Sequence, residues 1–189
     1  IPGQLAMIFR HYGYLYFWMT DYEMTFVHHN IGAHVVVPGT PQVGAWTHIA
    51  FSYDGTTVRI YANGNLIFQE NRGWDGHSAD PAPFTIGGSA YDPTEHWTGM
   101  IDEVRVWDYG RSQAEIQEDM YIPVDPALTR FYWSFDEGGG QVVHDLSPYS
   151  YNDGYLGSWP TEDNQDPLWV TDEPVSVAPM SWSAAKSLY

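Results

Sequence analysis

Apolar and polar residues alternate with a period of two through residues 5–107, and Gly, Asp, Asn and Pro interrupt the alternation at short intervals. This pattern predicts short strands joined by tight turns. Residues 5–10, 14–20, 24–29 and 33–37 are runs of aromatic and β-branched side chains that predict three or four strands. Gly13, Asp21, Asn30 and Gly32 punctuate them, and the Pro38–Pro41 stretch turns the chain. In the run 46–53, Ile49, Phe51 and Tyr53 share one face while Trp46, His48 and Ala50 share the other. Apolar groups on both faces predict a central strand. Asp54-Gly55 and Asn63-Gly64 then supply the positive φ angles that two-residue hairpin turns need, giving a meander through residues 58–61 and 66–69 whose register the turns set.

Residues 71–83 read as a loop with Gly73, Gly76, Pro81 and Pro83, residues 84–86 as a short strand, and residues 89–96 as a second loop. A long strand is predicted over 97–107. Ser112-Gln113-Ala114-Glu115 has the spacing of a capping box, in which the serine side chain and the Glu115 carboxylate satisfy each other's backbone N–H groups. It opens one helix of about two turns that packs through Ile116 and Met120 and stops at Pro123. Strand and turn texture resumes from Leu128, with strands predicted at 131–135 and 142–143. One short helix among strands places the chain in the all-β class.

Composition narrows the functional classes. The 189 residues carry 24 Asp plus Glu against seven Lys plus Arg, a formal charge of −17. Nucleic-acid binding, which is driven by neutralising phosphates, is excluded on that balance, and an anionic membrane surface is disfavoured for the same reason. No apolar run approaches the length of a membrane span. Cysteine is absent, so disulfides and thiolate metal sites are excluded, and no Asn-x-Ser/Thr sequon occurs. The start at Ile1-Pro2-Gly3 is that expected of a mature or trimmed product. Fourteen Tyr and nine Trp are more than usual. They serve either as core filling or, where exposed, as flat surfaces for a sugar ring.

Several short words now combine in a fixed order: Trp46-Thr47-His48-Ile49-Ala50, Tyr53-Asp54-Gly55, Tyr61-x-Asn63-Gly64, Ile86-Gly87, Ile101-Asp102-Glu103-Val104-Arg105-Val106-Trp107, and the helix that begins at Arg111. This order resembles the laminin-G-like, pentraxin-like domains of the concanavalin A-like lectin/glucanase superfamily, as found in bacterial and archaeal surface proteins. Trp133-x-Phe135-Asp136-Glu137-Gly138, Asp145-x-Ser147, Asn152-Asp153-Gly154 and Trp169-Val170 are similar to further elements of it. The resemblance implies an antiparallel two-sheet β-sandwich (jelly roll) with one short helix. It gives a sandwich core over 1–127, strands over 128–170 that complete it or start a second repeat, and a tail or linker over 171–189. An early strand pair usual in the family has no counterpart here. It is either lost, replaced by 128–170, or donated by a neighbouring chain.

The resemblance also implies a calcium ion, for which Asp102, Asp145, Asn152 and Asp153 are the candidate ligands. The competing reading is that these side chains cap turns. For a glycan, Trp74, Asp75, His77, Tyr91, Asp92, Glu95, His96 and Trp97 are the candidates, against the alternative that the loop aromatics fold over the core. Catalysis of the glucanase type needs paired carboxylates on one face. No Glu-x-Asp occurs, and Asp102-Glu103 and Asp136-Glu137 are adjacent pairs that point to opposite sides of a strand. His11, His28, His29 and His34 do not converge as a zinc set would. The expectation is a non-catalytic extracellular or cell-surface interaction module that binds glycan or a surface protein, adhesive and calcium-stabilised. The alternative is a structural subunit of a filament, sheath or surface layer that self-assembles by strand complementation.

Overall fold

The computed structural model describes residues 6–11, 15–20, 23–28, 33–38, 44–71, 83–90, 92, 94–122, 124–149, 152–157, 161–162 and 166–170. Two compact units emerge: Ile1–Met100 with Gly110–Met120, and Ile101–Tyr109 with Tyr121–Tyr189.

The first unit is a pair of antiparallel sheets. Strands β1 (Ala6–His11), β2 (Leu15–Thr20), β3 (Glu23–His28) and β4 (Ala33–Pro38) form a meander, and β8 (Phe84–Ile86) joins at β1, in the order β4-β3-β2-β1-β8. Strands β5 (Ile49–Tyr53), β6 (Thr57–Ala62) and β7 (Asn65–Asn71) make the second sheet in the order β5-β6-β7. Their inner faces close on each other. Phe17, Met24 and Phe26 from one sheet meet Ile60 from the other, with Ile49, Phe51 and Phe68 packed around them. Phe17 and Phe26 are cross-strand partners, and Phe26 stacks on Phe51 of the opposite sheet at 4.5 Å between ring centroids. The alternation read from residues 46–53 therefore assigns Ile49 and Phe51 correctly. The expected position does not hold: among the described residues β5 is an edge and β6 is central. The outer face of β5 is covered by the helical segment instead of by further strands.

That covering explains why Ser52, a polar residue of β5, is buried. Ser52 donates to the Arg111 carbonyl at 2.6 Å. Tyr61, on the same face, is 2% exposed. Helix α1 (Gln113–Asp119) begins at Ser112 with both halves of the capping box in place. It ends with Met120 as its C-cap, three residues before Pro123. The hairpin turn Asn63-Gly64, at φ 48° and 72°, is where it docks. The side-chain amides of Gln113 and Gln117 both donate to the Gly64 carbonyl at 2.9 Å, and Met120 lies against the same glycine.

The second unit pairs β9 (Val104–Val106) with β10 (Phe131–Trp133), and β11 (Val142–Val143) with β12 (Gly154–Tyr155). A 3-10 turn, Pro126–Leu128, leads into β10. The long strand expected over 97–107 is reduced to three residues, because Glu103 adopts φ 57° and breaks the extended backbone. Phe135, also at φ 57°, ends β10 two residues short of the expected limit. The expected tail 171–189 lies outside the described residues.

Gly110 gives a direct test of the helical cover. A methyl group on its Cα would sit 2.7 Å from the Tyr53 carbonyl carbon and 2.9 Å from the Asp54 Cα, both backbone atoms. Gly110→Ala is expected to cost about 1–3 kcal/mol, the usual range for forced overpacking. Thermal or urea unfolding measures it, with the conformationally free Gly139→Ala as the control that should change little.

Candidate functional site

Of the glycan-contact candidates, Trp74, Asp75, His77 and Tyr91 lie outside the described residues. The structure places Asp92, Glu95, His96 and Trp97 on one loop of the first unit. The loop is closed by backbone pairing. Gly88 bridges His96, and the Trp97 N–H donates to the Gly87 carbonyl at 2.8 Å. Within it, the Asp92 Oδ1 accepts from the backbone N–H of Thr94 at 2.9 Å and from its hydroxyl at 2.7 Å, while Glu95 N–H donates to the Asp92 carbonyl at 3.1 Å. Asp92 thus shapes the loop, the role that short acidic side chains take in turns. Trp97 leaves the loop partly buried, and its Nε1 donates to the Met100 carbonyl at 3.3 Å. Its indole lies so close over Gly99 that a Cβ there would be 2.7 Å from Nε1. The Trp-x-Gly spacing is the sequence signal for this seat, which motif reading passed over.

The proposed calcium ligands fall in the second unit. Asp145, Asn152 and Asp153 do come together. The Asp145 Oδ1 accepts from Tyr132 N–H at 3.1 Å and Ser147 N–H at 3.0 Å, and its Oδ2 accepts from the Asn152 amide at 3.2 Å. The Asp145 N–H donates in turn to Asp153 Oδ1 at 2.8 Å, and Asp153 Oδ2 lies 3.0 Å from His144 Nδ1. Asp145 is 4% exposed. Burial pushes its carboxyl pKa up, but the N–H donors outweigh burial and leave it below its ordinary value. Asp102 caps its own backbone, accepting from Glu103 N–H at 3.0 Å. Calcium needs oxygen lone pairs that converge on open space. Here the lone pairs of Asp145 converge on protons. No group of three or more His, Asp or Glu among the described residues has the arrangement of a metal site. As placed, these side chains do not fit a calcium ion. They tie the 144–147 turn to the free edge of β10, where Leu146 N–H also reaches the Tyr132 carbonyl at 2.8 Å.

Asp102 and Glu103 are not a strand pair, since Glu103 sits in the left-handed region. The Glu103 carboxylate forms an ion pair with Arg105, and both side chains are under a tenth exposed. Tyr132 closes the group. Its hydroxyl donates to the Glu103 carboxylate at 2.9 Å, and the Arg105 guanidinium lies 5.2 Å from its ring centroid. Burial, then the Glu103 charge, pushes the Tyr132 pKa up to about 12. The motif 101–107 thus supplies a buried charge cluster.

The family described as "Concanavalin A-like lectin/glucanases superfamily", in its laminin G form, matches residues 3–117. The chain belongs to this family. Mouse pappalysin-1 is 28% identical to the laminin-G-like chain over 102 residues, covering 48% of the chain and 6% of pappalysin-1. A solved "putative carbohydrate binding protein" from Bacteroides ovatus shares the fold at TM-score 0.64 and 23% identity, over 77% of the laminin-G-like chain and 46% of its own. An S-layer domain-containing protein from Clostridium thermocellum aligns at TM-score 0.30 and 22% identity, over 55% of this chain and 54% of its own, too low a score to argue a shared fold. The chain thus spans less than half the length of the first two of these relatives.

Two outcomes test the second unit. Asp145→Ala leaves the N–H groups of Tyr132 and Ser147 without their acceptor. It is expected to lower stability by about 2–4 kcal/mol, since each orphaned buried donor costs about 1–3 kcal/mol, as read by chemical denaturation. Tyr132 carries a pH signature. Unfolded tyrosine loses its proton near 10, whereas the folded chain keeps it to about 12. The folded state therefore binds more protons in that window. This contribution is complete below pH 10 and is lost as pH rises towards 12. Melting curves taken from pH 9 to 12 are expected to fall less steeply for Tyr132→Phe than for the parent chain.

Proposed function

We propose that this laminin-G-like chain is a non-catalytic glycan-binding module that works outside the cell or at its surface. The observation that carries the reading is Trp97, an aromatic ring held part-exposed on the seat of Gly99 at the end of a loop closed by its own backbone. A fixed flat ring flanked by carboxylates suits a sugar, whose C–H face stacks on the ring while hydroxyls donate to acidic oxygens. Asp92 and Glu95 are the acidic residues on the same loop. Membership of a lectin and glucanase superfamily supports the class. The non-catalytic part is supported by what the adjacent carboxylates do: Glu103 is engaged by Arg105 and Tyr132, and Glu137 accepts from His144 N–H at 2.8 Å.

The strand-complemented assembly draws less support. Among the described residues β7 is an open edge, but Ile67 is an extra residue between Leu66 and Phe68, which pair with Tyr61 and Ile60. A bulge of this kind twists an edge strand away from further partners.

A glycan array followed by titration calorimetry tests the reading. Some neutral oligosaccharide is expected to bind, with Trp97→Ala weakening it at least about tenfold, equivalent to about 1.4 kcal/mol. Trp97→Phe, which keeps a ring, should retain most of the affinity. Absence of binding to every glycan, or release of reducing sugar from one, overturns it.

A further inference from the structure

The second unit holds one more arrangement of side chains with the character of a site, and it lies beyond the stretch matched by the family. Among the described side chains, the other three guanidinium groups are matched with acids. Arg59 pairs with Asp54 at 2.6 Å, Arg105 with Glu103, and Arg111 with Asp119. Arg130 is exposed and has no carboxylate partner among the described residues. In a chain with 24 acidic side chains and seven basic ones, an unmatched arginine is the exception.

Arg130 is also held in place. Its backbone N–H donates to the Val106 carbonyl at 2.7 Å, one residue before β10, so the Cα is fixed by the β9–β10 ladder. Its guanidinium carbon lies 4.2 Å from the centroid of the Tyr149 ring and 5.5 Å from that of Phe131. Phe131 stacks in turn on Trp133, whose Nε1 donates to the Asn152 carbonyl at 3.0 Å. The guanidinium lies over the Tyr149 ring, and its planar set of N–H donors has the fork geometry that matches the two oxygens of a carboxylate.

We propose that Arg130, held on Tyr149, is a subsite for the carboxylate of a uronic-acid unit in an acidic glycan. The inference rests on the glycan-binding reading and deepens it by naming an acidic sugar as the ligand class taken by the second unit. A chain of charge −17 does not draw anions in by its long-range field, so recognition depends on the local fork and on short-range pairing, which salt screens least. The stacked ring fixes the guanidinium before the ligand arrives and so reduces the ordering cost of binding. Tyr149, itself 46% exposed, offers its rim to the sugar that carries the acid.

The test is a titration of the whole chain, followed by NMR or calorimetry. It uses a glucuronate-containing disaccharide, the same disaccharide with its carboxyl methyl-esterified, a neutral oligosaccharide that binds in the array, and a short glutamate peptide. The acid is expected to bind at least tenfold more tightly than its ester. Arg130→Ala should abolish that preference while leaving the neutral oligosaccharide and the melting temperature unchanged. Arg130→Lys should not restore it, because an ammonium group has neither the fork nor the stack, and Tyr149→Ala should weaken it. Equal binding of acid and ester, or an unaltered preference in Arg130→Ala, overturns the subsite. With neutral-glycan binding intact, that result leaves the broader function standing. Binding of no sugar at all overturns both. A glutamate peptide that binds as tightly as the uronate disaccharide also overturns it, since the site would then read acidic peptides.

Discussion

The contact of two sheet faces through large apolar side chains carries the first unit. Phe17, Met24 and Phe26 on one side and Ile49, Phe51, Ile60 and Phe68 on the other form one cluster, with the Phe26–Phe51 stack crossing between them. Each fully buried side chain of this size contributes about 1.5–3 kcal/mol relative to exposure. Without cysteine, no covalent bond reinforces that contact. The hairpin register matters for the same reason. A slip of one residue in β6 would turn Ile60 outward and Tyr61 inward, and the Asn63-Gly64 turn, with both residues at positive φ, prevents it. The same turn presents the Gly64 carbonyl to Gln113 and Gln117, so the element that fixes the register also seats the helix.

How much of this was legible in the sequence depended on whether the signal was local. The four early strands, β5 to β8, the two glycine turns and the capping box are each written within a few residues. They are found within two residues of where period and turn chemistry put them, except that β5 starts at Ile49, three residues later than expected. The position of β5 was not legible. Apolar residues on both of its faces are equally consistent with flanking strands and with a helical cover, and only the chain's return at 110–120 decides between them. The break in the expected 97–107 strand was hidden for a related reason. Glu103 is an ordinary strand residue by composition, and nothing near it signals φ 57°. It is engaged by Arg105 and by Tyr132, 29 residues away. On the candidate sites, the loop through Asp92 and Trp97 was legible as a loop, while the seating of the indole on Gly99 was carried by nothing more than the Trp-x-Gly spacing. Arg130 escaped notice altogether, since its meaning lies in having rings but no carboxylate beside it among the described residues, which no motif encodes.

The acidity of the chain takes on a different meaning once the carboxylates are placed. At the sequence level a charge of −17 and clustered Asp and Asn invite a cation. In the structure, at least eight carboxylates accept a hydrogen bond from a backbone N–H: Asp54, Asp92, Asp102, Glu115, Asp125, Glu137, Asp145 and Asp153. Each ends a strand, opens a helix or closes a turn, where backbone donors have no partner in a ladder. Asp54 shows the extent of the effect. It accepts from the N–H groups of Thr56 and Thr57 and pairs with Arg59, and these hydrogen bonds, Arg59 first, hold its pKa well below the ordinary carboxylate range.

A chain rich in short strands has many such ends, and without disulfides each loop must be held by other means. Aspartate does this at low cost in side-chain entropy, with a charge-assisted bond stronger than that of a neutral amide. The acidic excess thus follows from the number of corners in the fold. It also explains why the ligand candidates divide as they do. Carboxylate oxygens that face N–H groups are already engaged by the fold, so under the proposed reading the groups left to meet a ligand are the part-exposed ring of Trp97, whose Nε1 donates to the Met100 carbonyl, and the guanidinium of Arg130.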